Sequence, residues 1–120
     1  MRGGEVPTPV GPYRPIVRAG ELLICSGQLG IRDGSLLGGL DSQFRQAVAN
    51  LSALLEGEGA SLADVVKTTV FLADIEDYVA MNKAYLDCFA APLPARSAFA
   101  VAALPRAALV EIEAWAFSPR

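Results

Sequence analysis

PARSAFAVAALPRAALVEIEAWAF, residues 94–117, is the stretch that decides the fold. In a strand over residues 108–117, side chains two positions apart would share one face of the sheet. Small and aliphatic side chains that suit a core would share one face: Ala108, Val110, Ile112, Ala114 and Ala116. Carboxylates and large apolar groups would share the other: Leu109, Glu111, Glu113, Trp115 and Phe117. This mixture suits neither a core nor an ordinary wet surface, so we expect this face to meet a partner subunit or a ligand cleft.

The sequence before this stretch predicts short strands and a first amphipathic helix. Residues 1–12 are rich in proline and indicate an extended lead-in. Residues 16–19 and 22–26 predict a β-hairpin, and residues 31–39 predict a loop or a second turn. Asp41 is the expected N-cap of the helix, in which apolar side chains recur every three or four residues until Gly57.

The remaining elements complete an α+β pattern. Residues 65–72 are β-branched and predict a strand, and Asp74 is expected to open a second helix that ends before Pro92. Four of its side chains would lie on one stripe: Tyr78, Met81, Tyr85 and Phe89. Two final strands are expected at about 96–102 and 108–117. The order predicts one α+β domain over residues 1–120, with two helices on one face of a single sheet. Covering the bare face with further copies predicts a closed homo-oligomer.

Composition excludes several classes of function. Of the 120 residues, 52% are hydrophobic and only 19% are charged, a surplus that oligomerisation would explain. A net charge of −3 argues against a nucleic-acid partner. No apolar run approaches a membrane span and no signal peptide is visible, so we expect a soluble cytoplasmic protein. Without histidine, a Ser-His-Asp triad and a His-ligated zinc site are excluded. Cys25 and Cys88 are expected to be buried hydrophobes, not a disulfide or metal ligands.

Arg96 and two glutamates are the main candidates for chemistry. Arg96 is either a strand-end arginine paired with a nearby carboxylate, or a clamp that binds a ligand carboxylate through its planar fork. A glutamate beside Trp115 on a covered face would have a raised pKa, which suits general acid–base work. Nothing in the local sequence chooses between Glu111 and Glu113.

The spacing of these candidates raises a geometric difficulty. If residues 104–107 made a tight hairpin, Arg96 would lie opposite Trp115, and Glu111 would be ~13 Å further along the strand. Three solutions are open. The connection is not a tight hairpin, or the two side chains meet a ligand from its two ends, or a neighbouring chain completes the site.

Three other polar positions each admit a structural and a functional interpretation. Tyr13, after Gly-Pro, is a packing residue or a hydroxyl that contacts a substrate. Ser26 and Gly27, at a strand end, form a simple turn or part of a pocket. Asn82, within the second helix, is a surface amide or a pocket residue.

Taken in order, these motifs resemble the RidA/YjgF family of small enamine and imine deaminases. The matching motifs span most of the chain: GPY at 11–13, SGQ at 26–28, NL at 50–51, DVVKTTVFL at 64–72, NKAY at 82–85, PARS at 94–97, VAALP at 101–105 and VEIEA at 110–114. The resemblance implies a chorismate-mutase-like fold and a homotrimer with three clefts between subunits. It also implies hydrolysis of 2-imino acids, such as 2-iminobutanoate and 2-iminopropanoate, to 2-keto acids and ammonia, without a metal or cofactor.

The resemblance implies roles for individual residues. Arg96 corresponds to the arginine that holds the substrate carboxylate, and Glu111 to the acid that positions or activates water. The implied substrate-binding positions are Tyr13, Ser26, Gly27, Asn82, Arg96, Ala98 and Phe99. Ala98 replaces the usual cysteine, the bulky Phe99 follows it, and Arg14-Pro15 replaces the usual Ser-Gln. These departures leave the substrate preference open.

Two rival functions remain open on the same scaffold. One is a non-catalytic trimer that binds small carboxylates, and the other is a specialised deaminase acting on an aminoacrylate-like or aminomuconate-like compound. A ribonuclease activity has also been attached to relatives, but the acidic charge and the absence of histidine argue against it here.

Overall fold

The computed structural model describes residues 8, 9 and 11–120, so the lead-in predicted for residues 1–12 lies mostly outside the described residues. The strands are β1 (Ile16–Ala19), β2 (Leu22–Leu29), β3 (Ile31–Arg32), β4 (Ser35–Leu36), β5 (Val65–Leu72), β6 (Ala95–Ala100) and β7 (Val110–Phe117). The helices are α1 (Leu40–Gly57) and α2 (Tyr78–Cys88). Short 3-10 turns are found at Leu62–Asp64, Ile75–Asp77 and Pro105–Ala107. This content confirms the predicted α+β class.

Five strands form one mixed sheet in the order β1-β2-β7-β5-β6. Neighbouring strands are antiparallel except for β5 and β6, which are parallel. Strand β7 is therefore central, between β2 and β5, while β6 lies at one edge. Strands β3 and β4 form a separate small hairpin within the segment predicted as a loop or second turn.

The last two strands do not pair with each other, so the first of the three solutions holds, and the connection at residues 104–107 is not a tight hairpin. Parallel strands need a crossover connection, and α2 provides one between β5 and β6. This crossover places β6 next to β5, at the edge of the sheet away from β7. The chain then passes through the turn at Pro105–Ala107 and enters β7 on the other side of β5.

The two faces of β7 differ in burial, as the alternation in the sequence predicts. Its inner side chains are completely buried: Val110, Ile112, Ala114 and Ala116. On the outer face, Trp115 and Phe117 are exposed, and Glu111 is partly buried. The ladder places Phe71 of β5 beside Glu111 and Phe99 of β6 beside Phe71, so the outer face continues across three strands.

The two helices bury their apolar stripes in the same core as the inner face of the sheet. Helix α1 packs against β2 and β7, and α2 packs against α1. Large, fully buried side chains come from both layers: Leu23, Phe44, Leu51, Leu55, Val70, Leu72, Met81 and Ile112. In the described residues, neither helix has the length and apolar character needed to cross a membrane.

Both helices begin differently from the sequence prediction. Helix α1 begins at Leu40 and its N-cap is Gly39, so the assignment of Asp41 is wrong. Gly39 has a φ of 84°, which glycine tolerates, and the chain enters the helix two residues earlier than an N-cap at Asp41 would allow. Asp74 caps the 3-10 turn at Ile75–Asp77, and α2 begins only after that turn.

Two buried amides fasten α1 to the end of the sheet. The Gln43 amide donates to the Leu37 carbonyl at 2.9 Å, and its oxygen accepts from the Leu109 N–H at 2.8 Å. The Asn50 amide donates to the carbonyls of Leu29 and Ile31, both at 3.1 Å. These bonds satisfy backbone groups that the sheet ladder leaves free near its end.

We expect Gly30→Ala to destabilise the fold by about 1–3 kcal/mol or more, because overpacking against backbone cannot relax easily. A Cβ at Gly30 would clash with the Cα and carbonyl oxygen of Gln43, and would lie 2.8 Å from the Gln43 carbonyl carbon. Urea unfolding at one protein concentration measures the change. Gly38→Ala is the matched control, since a Cβ there meets nothing within 4 Å. Equal stabilities for the two variants would contradict this account.

Candidate active site

Glu111 lines a small cavity beside an irregular part of β2. The strand continues past its predicted end at Ser26, and a bulge interrupts its pairing with β7 between Cys25 and Gln28. Tyr13, Gly27 and Glu111 line a cavity of about 30 Å³ together with part of the described lead-in. A cavity of this size has room for one water molecule.

Gly27 is required by the position of the Glu111 side chain. A Cβ at residue 27 would lie 2.5 Å from Oε2 and 2.8 Å from Cδ of Glu111. Real Cβ atoms do not approach carboxylate atoms so closely. The SGQ motif therefore leaves room for the carboxylate to lie over the backbone of the bulge.

The surroundings of Glu111 raise its pKa. Burial, which disfavours the charged carboxylate, is the larger cause, and the negative charge of Glu113 on the same face adds to it. Glu113 is absent from the described residues that line the cavity. The geometry thus favours Glu111 over Glu113 as the group beside a bound water.

Ser26 holds the Tyr13 segment against β2. Its hydroxyl donates to the Arg14 carbonyl at 2.7 Å, and its backbone N–H donates to the Pro15 carbonyl at 2.8 Å. The hydroxyl proton is therefore already engaged within the chain. Among the predicted pocket residues, Ser26 has the clearest structural role, because it fixes the segment that carries Tyr13.

Arg96 lies on the helix side of edge strand β6 and meets α2. Its Nη2 donates to the Tyr78 hydroxyl at 3.1 Å, and its Nη1 contacts the Met81 sulfur at 3.7 Å. The guanidinium carbon lies 4.8 Å from the centroid of the Tyr85 ring, which is within cation–π range. In the described part of the chain, the ion pairs all belong to Arg45, so the predicted carboxylate partner for Arg96 is not found there.

Tyr85, whose ring lies against the Arg96 guanidinium, is held in place by a hydrogen bond of its own. The hydroxyls of Tyr85 and Thr68 share a buried hydrogen bond of 2.6 Å. Burial, the largest cause, raises the pKa of Tyr85. Asn82 lies on the same face of α2, between Tyr78 and Tyr85 in helical spacing, and its buried Oδ1 has no hydrogen-bond partner among the described residues.

Ala98 and Phe99 lie on opposite faces of β6. Ala98 is on the same side as Arg96 and packs against the core. Phe99 is on the outer face, where its ring meets that of Phe71 edge to face at 5.5 Å. Of these two predicted substrate-binding positions, only Ala98 therefore shares the side of Arg96 within one chain.

The candidate residues form two separate half-sites in one chain. The Glu111 half-site consists of Tyr13, Gly27 and Glu111, and the Arg96 half-site consists of Tyr78, Met81, Asn82, Tyr85 and Arg96. Arg96 is aligned with Thr68 on the inner face, whereas Glu111 is aligned with Phe71 on the outer face. The two positions are ~10 Å apart across the strands and ~10 Å apart along them. One chain therefore does not bring Arg96 and Glu111 together.

Sequence reasoning missed the tyrosine and methionine neighbours of Arg96. Their spacing marks Tyr78, Met81 and Tyr85 as one helical stripe, which is typical of a core. Met81 and Tyr85 are buried, whereas Tyr78, at the start of the helix, is 37% exposed. No local signal shows that this stripe meets an arginine from the following strand.

The cysteines and acidic residues offer no metal centre within the described residues. Cys25 and Cys88 are free thiols, of which Cys25 is buried as predicted and Cys88 is only partly buried. Burial raises the pKa of Cys25 to about 12. Cys25 is therefore a protonated, buried thiol at neutral pH.

Comparison with known proteins gives consistent matches over nearly the whole chain. The family model described as Endoribonuclease L-PSP matches residues 4–118. A Mus musculus protein named 2-iminobutanoate/2-iminopropanoate deaminase is 43% identical, and the match covers 92% of this chain and 84% of that protein.

Solved structures show the same fold. The crystal structure of RidA from the Antarctic bacterium Psychrobacter sp. PAMC 21119 matches with a TM-score of 0.91 and 38% identity, covering 93% of each chain. The structure of E. coli TdcF with bound serine matches with a TM-score of 0.87 and 33% identity, covering 93% of this chain and 92% of that one. The family model, the mouse relative and the shared fold together establish that this chain belongs to the RidA/YjgF family.

Proposed function

We propose that this protein is a cofactor-free deaminase that hydrolyses small 2-imino acids, including 2-iminobutanoate and 2-iminopropanoate, to 2-keto acids and ammonia. The observation that carries the proposal is the state of Arg96. Its guanidinium is held by tyrosines and a methionine, and no described carboxylate neutralises it. Such a group is prepared to bind a carboxylate. The name of the mouse relative, a 2-iminobutanoate/2-iminopropanoate deaminase, supports the reaction, and serine bound to TdcF supports a ligand with a carboxylate.

We propose further that the protein is a homotrimer with the chorismate-mutase-like arrangement, in which each cleft joins the Arg96 half-site of one copy to the Glu111 half-site of the next. The opposite-face placement of the half-sites supports this assembly. So do the exposed aromatics of the outer face, Phe99, Trp115 and Phe117, which a second copy would cover. A head-to-tail contact of this kind generates a ring when the rotation between successive copies closes, as the proposed trimer requires.

In this cleft, Arg96 binds the substrate carboxylate through paired N–H donors. The planar guanidinium fixes the plane of the carboxylate, and hence the position of the adjacent imine carbon. Ala98, on the same side of β6, leaves the space beside the arginine open because its side chain is small. Tyr13 and Gly27 line the opposing wall with Glu111.

The reaction then needs only a positioned water. Glu111 accepts a proton from the water as its oxygen bonds to the imine carbon, and the π electrons of the C=N bond move to nitrogen, which takes up a proton from solvent. Glu111 then returns its proton to the amino nitrogen. As the C–N bond breaks, Glu111 accepts the hydroxyl proton, so ammonia leaves, the carbonyl of the keto acid forms, and Glu111 finally releases that proton to solvent. A raised pKa suits Glu111 to both proton transfers. The imine carbon is already electrophilic, so we propose no metal or redox cofactor.

The deaminase is favoured over the other activities considered. The family description names an endoribonuclease, but a net charge of −3 and the lack of histidine do not suit binding and cleavage of RNA. A carboxylate-binding protein without turnover and a deaminase for an aminoacrylate-like or aminomuconate-like compound would use the same Arg96 half-site. Turnover of the two simple imines distinguishes the proposed function from both.

We expect Arg96→Ala to reduce kcat/KM by about 100-fold or more, because a bidentate bond between charged groups is lost. Keto acid release is measured from both imines, which an amino acid oxidase generates in place. Arg45→Ala is the matched control, since Arg45 is an exposed arginine paired with Asp41 and Asp87 on the helices. Full activity in Arg96→Ala would overturn the clamp. No acceleration by wild type, with Arg96-dependent binding of the keto acid, would identify a binding protein or a specialised enzyme.

Co-expression of Arg96→Ala and Glu111→Gln chains tests whether two copies share each cleft. Either variant alone should be inactive, whereas random mixing at equal amounts should restore about a quarter of the wild-type rate. In that fraction of clefts, an intact arginine from one copy meets an intact glutamate from the next. Two differently tagged chains allow the mixed trimers to be isolated before assay, and about a third of the wild-type rate is then expected, because one cleft of each mixed trimer is intact. A mixed oligomer as inactive as its parents would show that each site lies within one chain.

The pH dependence of kcat/KM should report Glu111. Its carboxylate form accepts the proton, so kcat/KM should fall as the pH drops through its raised pKa. Glu113→Gln removes the neighbouring charge and should move this acidic limb to lower pH. Comparing the two enzymes on one substrate cancels the titration of the imine itself. An acidic limb at the same pH in both enzymes, or full activity in Glu111→Gln, would contradict the assignment of Glu111 as the proton acceptor.

The stability of Glu111→Gln provides a control for correct folding. Because the folded pKa of Glu111 lies above the unfolded one, its stabilising effect is complete below the unfolded pKa and is lost as pH rises through the folded pKa. Glutamine stays neutral, so the variant should resist urea better than wild type at pH 7 but not at low pH. A variant that is slower yet more stable has lost chemistry, not structure.

A further inference from the structure

Tyr78 supplies the strongest hydrogen-bond acceptor that Arg96 has among the described residues. Its hydroxyl accepts from Nη2 at 3.1 Å. The other polar contact, from Nη1 to the Met81 sulfur at 3.7 Å, uses a weak acceptor. The Tyr85 and Tyr78 rings attract the cation at 4.8 and 5.7 Å, but ring attraction does not fix the rotation of the fork. The hydroxyl therefore sets the orientation of the guanidinium.

The fold itself depends little on that hydroxyl. Tyr78 is the first residue of α2 and is 37% exposed, whereas Tyr85 is buried and its hydroxyl bonds to Thr68. The two tyrosines on one helix face thus differ in role. The hydroxyl of Tyr85 secures the helix to the sheet, while that of Tyr78 reaches only the arginine in the described structure.

We propose that Tyr78 is a positioning residue that pre-orients the Arg96 fork for a carboxylate ligand. The proposal rests on the carboxylate-binding role given to Arg96 above. Arginine has many rotamers, and fixing one before the ligand arrives reduces the entropy lost on binding. The bond to Tyr78 engages only one N–H of the guanidinium at Nη2, so other N–H groups remain for the ligand.

The test is the affinity for 2-oxobutanoate, the keto acid that the proposed reaction releases, measured by calorimetry. Tyr78→Phe keeps the ring beside Arg96 and removes only the hydroxyl, so we expect about tenfold weaker binding. KM for 2-iminobutanoate should rise to a similar degree while kcat stays within about twofold, because the bond serves binding and not the proton transfers. Val79→Ala, on the exposed neighbouring residue of α2, should bind like wild type.

A change confined to Arg96 separates positioning from a general effect on the fold. In wild type, the bonded Nη2–H of Arg96 should give a resolved NMR signal that Tyr78→Phe broadens or abolishes. In an Arg96→Lys background, which lacks the fork, Tyr78→Phe should weaken 2-oxobutanoate binding by less than about twofold. An equal loss in both backgrounds would show that the hydroxyl acts through the fold.

The possible results distinguish this proposal from the proposed function. Unchanged or tighter binding in Tyr78→Phe would overturn the positioning role and leave the deaminase standing. Wild-type binding that Tyr78→Phe weakens, with no turnover of either imine, would overturn the deaminase and support the positioning role. Failure of wild type both to bind 2-oxobutanoate and to accelerate keto acid release from either imine would overturn both.

Discussion

Strand β7 bonds along both of its edges, to β2 and to β5, and the rest of the molecule depends on this pairing. Side chains alternate across a strand, so the register fixes which residues reach the core. A slip of one residue would place Glu111 and Trp115 among the buried side chains of α1. Burial of four inner side chains on β7 therefore specifies the register strongly, and with it the face on which the glutamate lies.

Arg96 and Arg45 show how surroundings give one residue type two roles. Arg45 lies between Asp41 and Asp87 at the helix surface, where exposed ion pairs add little to stability. Arg96 is partly buried and meets hydroxyl, sulfur and aromatic groups instead. These contacts offset part of its desolvation without neutralising its charge. Its electrostatic attraction for an anion is thus retained.

Local periodicity explains how much of the fold could be predicted from the sequence. The alternation over residues 108–117 was sufficient to predict which side chains lie on each face of β7. The apolar stripe of α1 was sufficient to predict which side of that helix is buried. The order of the strands was not, because sheet neighbours depend on contacts between distant segments. The parallel placement of β6 beyond β5 has no signature in the linker that follows it.

The candidate site was predictable in its residue types but not in its geometry. Arg96 and Glu111 both stood out as charged groups in apolar sequence, yet their separation onto two faces follows from the sheet order. The choice of Glu111 over Glu113 depends on the bulge in β2, which brings Gly27 beneath one carboxylate only. The contact between Tyr78 and Arg96 could not be predicted, because the spacing of Tyr78 is also that of an ordinary core stripe.

Successive side chains of edge strand β6 alternate between two surfaces. Arg96 and Ala98 belong to the helix side, whereas Ser97 and Phe99 belong to the outer face. Selection for a different ligand can therefore act on the even-numbered positions while the odd-numbered ones remain adapted to whatever covers the sheet. The six residues of β6 therefore belong to two sets, and adjacency in this part of the chain says little about which surface a side chain serves.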